Sequence, residues 1–309
     1  MRYNYFGENK RTFSFVDKSR HFFIFSIAIT ILGIIVLAAM GLNYGVDFRA
    51  GSNVDVAVKQ NLSDQKEAIE QFLADGEYGT SHLTMGESRI TIRFDEVLGD
   101  TKEQQLKTDF AAKFDKEASF EVNTVDVEMA RELQLNALKA VLLASLGIII
   151  YVSIRFEWRF AVAAVVALLH DAFIVISLFS IFRLQVNLPF IVAVLTIIGY
   201  SINDTVVIFD RIRENMRFAK IKSYEDLKRV VNDSVWQTLT RSINTVMTVI
   251  VAAACLFIFG SESIKMFSLA ILFGLFCGAY SSIFIASPLW LVMKKRQKPK
   301  TPAKVTTAP

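Results

Sequence analysis

Hydrophobic residues come in long blocks along this chain. Residues 22–42 run for 21 positions without a charge, and residues 266–293 run for 28. Further apolar stretches lie at 138–154, 160–182, 188–209 and 242–259. A helix needs about 20 apolar residues to cross ~30 Å of hydrocarbon. The pattern therefore predicts six spanning helices, at 22–42, 134–154, 160–182, 188–209, 242–260 and 266–293. The first block is longer than the roughly 7–15-residue apolar region of a signal peptide and reads as an uncleaved span.

Between the first two spans the period changes. In residues 43–133 we read a strand at 54–58, a helix at 63–73 with Ser63 as N-cap, and a hairpin of 82–85 and 89–94 about Gly86. An amphipathic helix at 101–114 and a strand at 119–125 follow. The order β-α-β-β-α-β is that of a small ferredoxin-like domain. In the 210–241 loop, Leu227, Val230, Val231, Val235 and Leu239 recur at helical spacing. That predicts an amphipathic helix along the membrane face, with Trp236 at the headgroups. The expected fold class is an α-helical polytopic membrane protein with one α+β domain between helices one and two. The tail, 294–309, has three prolines and no apolar period, and reads as disordered.

Charge orients the spans. Residues 1–21, the 155–159 turn, the 210–241 loop and the tail hold 21 Lys and Arg, against Arg183 and Lys265 in the short loops opposite. Both termini are thus expected in the cytoplasm and residues 43–133 outside it. The 43–133 segment carries a net −9 and the rest of the chain +13. The positive balance suits an anionic leaflet, and nothing points to nucleic acid. With 53% hydrophobic residues, 26 Phe and a mean hydropathy of +0.39, a soluble enzyme, a disulfide scaffold and a disordered chain are excluded. Cys255 and Cys277 lie inside apolar blocks and read as packing residues. His21, His82 and His170 are scattered, so no metal site is expected. No Walker A loop, Ser/His/Asp set, HExxH or dinucleotide fingerprint occurs, so neither a cofactor nor an enzymatic reaction is expected.

Ionisable residues within spans cost at least about 2.5–3.5 kcal/mol each and ask for a reason. Asp204 lies in the fourth span. Thr196, Gly199, Tyr200 and Asn203 recur beside it as one polar stripe. The fifth span opens with Arg241, then Asn244, Thr245 and Thr248 at the same spacing, so Arg241 and Asp204 are placed at similar depth. A carboxylate balanced between desolvation and a guanidinium can exchange a proton. The bland alternative is a static ion pair with Asn and Thr hydrogen bonds joining helices. Asp171, next to His170 in the third span, is either a second titrating group or a neutral carboxyl bonded to a polar neighbour. Gly274 and Gly278 form a GxxxG in the sixth span, which permits close helix approach.

The run LTIIGYSINDTVVIFDRIREN at 195–215 resembles the fourth span of the SecF members of the SecD/SecF protein-export family. RFEWRFAVAAVVALLHD at 155–171 and RSINTVMT at 241–248 resemble the same family's third and fifth spans. The family's G-x-D-F-x-G-G is matched after the first span by Gly45, Asp47, Phe48 and Gly51, with Ala50 in place of a glycine. Its Gly-Pro and later Gly before the second span fall on Asp126, Val127 and Ala130. The resemblance implies a half-size member of the RND superfamily in the bacterial cytoplasmic membrane. It implies pairing with SecD, association with the SecYEG channel, and proton-driven movement of exported, unfolded chains. The proton-pathway roles fall on Asp204 and Arg241, with Asp171 on a further family carboxylate. Na⁺ remains open as the coupling ion. Two rival readings are an exporter of lipids or small molecules, and a non-transporting translocon scaffold.

Overall fold

A computed structural model describes residues 13–59, 61–76, 78–86 and 88–295. The first twelve residues, and the tail beyond Lys295 expected to be disordered, lie outside the described residues. Helix α1 (Phe15–Met40) leads into strand β1 (Asn43–Tyr44), a short helix α2 (Val46–Arg49) and strand β2 (Gly51–Ala57). The α+β domain continues with α3 (Lys66–Asp75), β3 (Ser81–Met85), β4 (Arg89–Phe94), α4 (Asp100–Lys113) and β5 (Ser119–Val125). The bundle resumes with α5 (Val127–Arg155), α6 (Trp158–Ile181), β6 (Gln185–Val186), α7 (Leu188–Phe218) and α8 (Tyr224–Phe259). The last span is α9 (Glu262–Ser281), a π-helical turn (Ser282–Ala286) and α10 (Ser287–Lys295).

Among the described residues six helices are long and apolar enough to cross a membrane. α6, α7 and the last span are buried within the bundle, whereas α1, α5 and α8 turn most of their apolar surface outward. Spanning helices show such a surface to lipid, which is as apolar as their side chains. The π-turn has a local cause: Pro288 has no N–H to donate to the preceding turn, so the helix reseats there.

The sheet order β3-β4-β2-β5 is antiparallel throughout and gives the ferredoxin-like arrangement. Val54, Val56, Ile90 and Ile92 face Ile69, Phe72, Leu106 and Phe110 of the two helices, a closed core of its own. Ser63 begins a 3₁₀ turn capped at Leu62, and the α-helix proper starts at Lys66. The helix thus opens through a tighter turn, in place of an α-helical N-cap at Ser63.

The 210–241 segment does not form a separate surface helix. Ser223 and Asp226 make a reciprocal capping box, and no Gly or Pro follows until Gly260, so α8 runs unbroken into the fifth span. Leu227, Val231 and Val235 pack with Phe209, Ile212 and Trp290 at the end of the bundle where α1 begins and α10 finishes. Trp236 donates its indole N–H to the Phe13 carbonyl at 3.1 Å, which ties α8 to the segment before α1.

The domain is tied to the opposite end of the bundle. β1 pairs in parallel with β6, and the Gly45 N–H donates to the Val186 carbonyl at 2.7 Å. Asp47 Oδ2 accepts the Leu188 N–H at 2.7 Å, satisfying one of the free donors that begin α7. The Gln134 side-chain amide donates to the Phe48 carbonyl. Arg183 Nη1 donates to the Met40 and Gly41 carbonyls at 2.8 and 3.2 Å, closing the end of α1. Asp126 caps α5 by accepting the Met129 N–H at 2.8 Å, which explains how the chain dispenses with a Gly-Pro there.

Ala50 has φ 59° and ψ 151°, a region that glycine alone occupies freely. Ala50→Gly is expected to stabilise the protein by about 1 kcal/mol, the net of ~1–3 kcal/mol of relieved strain and the ~0.4–1 kcal/mol of chain entropy that glycine adds to the unfolded state. Calorimetric unfolding in detergent measures it, and an unchanged or lower midpoint contradicts the strain. Asp55, on the uncovered sheet face, accepts from Thr91 at 2.5 Å. Burial raises its carboxyl above 3.8 against that hydrogen bond, with the neighbouring Glu121 adding to the rise. A folded-state value above the unfolded one makes the domain most stable in acid. That contribution is lost as pH rises from about 3.8 through the raised value. Asp55→Asn should therefore raise the unfolding midpoint at neutral pH and leave it little changed below that window.

Candidate functional site within the bundle

Asp171 of α6 is fully buried where three helices meet. Its Oδ2 accepts from Ser201 of α7 and Ser281 of α9, each at 2.6 Å, and its Oδ1 lies 3.1 Å from His170 Nδ1. With the imidazole proton placed on Nδ1, both carboxyl oxygens have donors. One turn along α7 from Ser201 comes Asp204, also buried. The contrast is sharp: Asp204 Oδ2 has no hydrogen-bond partner among the described residues. The Ser242 hydroxyl of α8 stands beside this carboxyl, and its Oγ likewise finds no partner. A little further along, Thr205 and Ser282 share a hydrogen bond of 2.8 Å.

α7 and α9 approach closely because of the glycines. A Cβ at Gly274 would collide with the Ile197 side chain, and one at Gly278 would sit 3.4 Å from Ser201 Cα. Gly274, Gly278, Ser281 and Ser282 thus form one small-residue face, at i, i+4, i+7 and i+8. Between this face, Asp204 and α8 lies a crevice of about 10 Å³, lined by Tyr200, Asn203, Thr245 and Gly278 among others. It has room for about one water molecule.

Arg241 is exposed and makes no ion pair with Asp204 among the described residues; its charge acts on the carboxyl through space. The sequence places the two at one depth, but the structure does not bring them into contact. The rest of the predicted network divides. Thr196, Thr245 and Thr248 donate to carbonyls of their own helices at 2.8–2.9 Å. Tyr200, Asn203 and Asn244 are exposed on the outer surface of the bundle. Gly45, Asp47, Phe48 and Gly51 lie at the other end, in the junction described above, where a Cβ at Gly51 would strike the Phe94 carbonyl. Cys255 and Cys277 are free thiols.

Sequence reasoning missed Ser201, Ser242, Ser281 and Ser282. Serine is common in spanning helices, and its hydroxyl can bond its own helix. The available signal was the Ser281–Ser282 pair continuing the GxxxG spacing. Ser201→Ala and Ser281→Ala each remove one donor from a buried carboxyl. Each is expected to cost about 1–3 kcal/mol of stability in detergent unfolding, and the double variant less than the sum. A change within error in either single variant would show that Asp171 does not depend on these donors.

Residues 105–296 match the family described as protein export membrane protein SecD/SecF, C-terminal, and residues 35–61 match the SecD/SecF GG motif. The protein translocase subunit SecF of Alicyclobacillus acidocaldarius is 42% identical over 94% of this chain and 96% of that protein. The protein translocase subunit SecDF of Bacillus subtilis is 47% identical over 94% of this chain, which spans only 39% of that longer protein. The crystal structure of SecDF from Thermus thermophilus, described as a translocon-associated membrane protein, superposes with a TM-score of 0.82 at 32% identity. That superposition covers 92% of this chain and 39% of the other. The six-helix bundle and the ferredoxin-like domain after its first helix thus fall within one family: the chain belongs to the SecD/SecF protein-export membrane proteins.

Proposed function

We propose that this chain is the proton-coupling half of a protein-export device in the bacterial cytoplasmic membrane. In this reading it works with a SecD-like partner and the SecYEG channel to draw unfolded chains outward. The single observation that carries the reading is Asp204, a buried carboxyl with an unpartnered oxygen at a crevice that one water can enter. Asp171, held by three neighbours, supports the packing; Asp204 has the spare valence that proton exchange needs. Arg241, exposed and without an ion pair among the described residues, is the nearby cation in this reading.

Two further features support the reading. Tyr200, Asn203 and Asn244 are polar groups on the outside of a membrane bundle, and lipid cannot hydrogen-bond them, so a second protein surface is called for. The longer SecDF relatives carry additional chain that can supply such a surface. Movement also has a route. Leu188 and Asp204 are 16 residues apart on α7, about 24 Å along the axis. Asp47 grips the Leu188 end and leads within four residues into β2, so a shift of α7 would reach the domain through this junction. The termini, rich in Lys and Arg, lie on the cytoplasmic side in this reading.

Export by energised vesicles carrying Asp204→Asn tests the reading, after insertion and partner binding are matched to wild type. The variant is expected to export no faster than wild type with its proton gradient collapsed. Normal, gradient-responsive export would make Asp204 a structural residue and favour a scaffold. Dependence of wild-type export on a Na⁺ gradient alone would replace the proton with Na⁺.

A further inference from the structure

Beneath the sheet, between the domain and the bundle end, lie two polar clefts of about 350 and 320 Å³ that share Asn53 and Gln185 in their walls. We infer that together they form a trough that holds the main chain of the exported polypeptide in extended form. The inference rests on the export reading above and adds to it the surface that meets the cargo.

The roof is the sheet face opposite the helices. Register places Asn123, Asn53, Arg93 and His82 side by side across all four strands, in the order β5, β2, β4, β3. The floor is supplied by Asn43, Gln185 and Asn187 at the bundle end. The row is about 14 Å wide at ~4.8 Å per strand, the reach of roughly four extended residues. The domain core is complete on the other face, so this one is not a packing surface awaiting a lid.

Its chemistry suits a main chain. Asn, Gln and His each present a donor and an acceptor, as a peptide group does. Among the described residues Asn53 Oδ1 is buried without a partner while its amide donates to Asp55 at 3.2 Å, Asn43 donates to the Arg183 carbonyl, Asn187 accepts the Phe190 N–H, and Asn123 and Gln185 make no side-chain hydrogen bond. Exported chains differ in every side chain, and only the backbone is common to them. A site serving them all must read N–H and C=O groups. The charges in the row are already matched: Asp95 lies 3.3 Å from both Arg93 Nη2 and His82 Nε2, and Arg93 also donates to the Tyr44 carbonyl at 3.3 Å. Arg183, which also lines the first cleft, is engaged by the Met40 and Gly41 carbonyls, and the domain above it belongs to a segment with a net −9, which disfavours a lipid phosphate.

The test places a photo-crosslinking phenylalanine analogue at His82, Asn123 or Gln185 of the full chain in its membrane complex. Lys66 and Gln104, on the two helices, serve as controls. Illumination is done without a gradient, on an export intermediate arrested part-way, so failure of Asp204 coupling leaves the readout intact. The expected result is adducts with the arrested chain at the three trough positions, several-fold above the controls and lost on its release. Yields should be the same for cargo segments of acidic and basic sequence. Adducts only with lipid or the partner subunit, or equal yields on both faces, overturn the inference. So does a yield that follows cargo charge. Adducts nowhere on the domain overturn both this site and the domain's part in export.

Discussion

Inside hydrocarbon a polar group has no water to fall back on, and every one that enters must find its partner within the protein. The Asp171 carboxyl imposes this most strongly. It draws donors from α7 and α9 as well as its own helix, so three helices are held in one register by hydrogen bonds of 2.6 Å. Such bonds are only as good as the approach that permits them. Gly274 and Gly278 remove the side chains that would keep α9 from α7, and Ser281 then reaches the carboxyl from the same face. Peripheral helices α1, α5 and α8, lacking such a centre, present apolar side chains outward.

Asp204 is the exception that this order makes visible. Against a neighbour with both oxygens satisfied, an unpartnered buried oxygen one turn away is a cost of about 1–3 kcal/mol that packing alone does not explain. Its position between the inner helices and α8 puts it at the bundle's open side, near a charged Arg241 and within reach of single waters. In the proposed function this is the group that exchanges the proton, set apart from the three-helix centre beside it.

The same rule, applied at the water boundary, builds the junction. The start of α7 and the end of α1 expose backbone donors and acceptors, and these are met by Asp47 and Arg183. Both residues belong to connections and not to spans, so the linker into the domain is fastened to the helix that carries Asp204. The polar clefts below the sheet follow from this fastening, because a domain held at one edge leaves its uncovered face standing over the bundle end.

Much of this was legible in the chain. Span number followed from block length, since the membrane thickness admits few alternatives. The domain's strand and helix order followed from its switch to short alternating segments. Asp204 and Asp171 stood out because a charge amid apolar residues has no ordinary explanation. What the sequence could not determine were relations between helices. The amphipathic stretch before the fifth span has the same period whether it lies on a membrane or packs on Trp290, and only the absence of a break at 224–259 makes it the latter. Arg241 and Asp204 share a depth along their helices, yet contact depends on rotation about each axis, which packing sets. Ser201 and Ser281 are unremarkable in one dimension and become the donors to Asp171 only when three helices meet. Composition and period determine which segments enter the membrane; side-chain partnership there is decided by how the helices turn toward one another, because hydrogen bonds depend on distance and angle, and neither is written along a single helix.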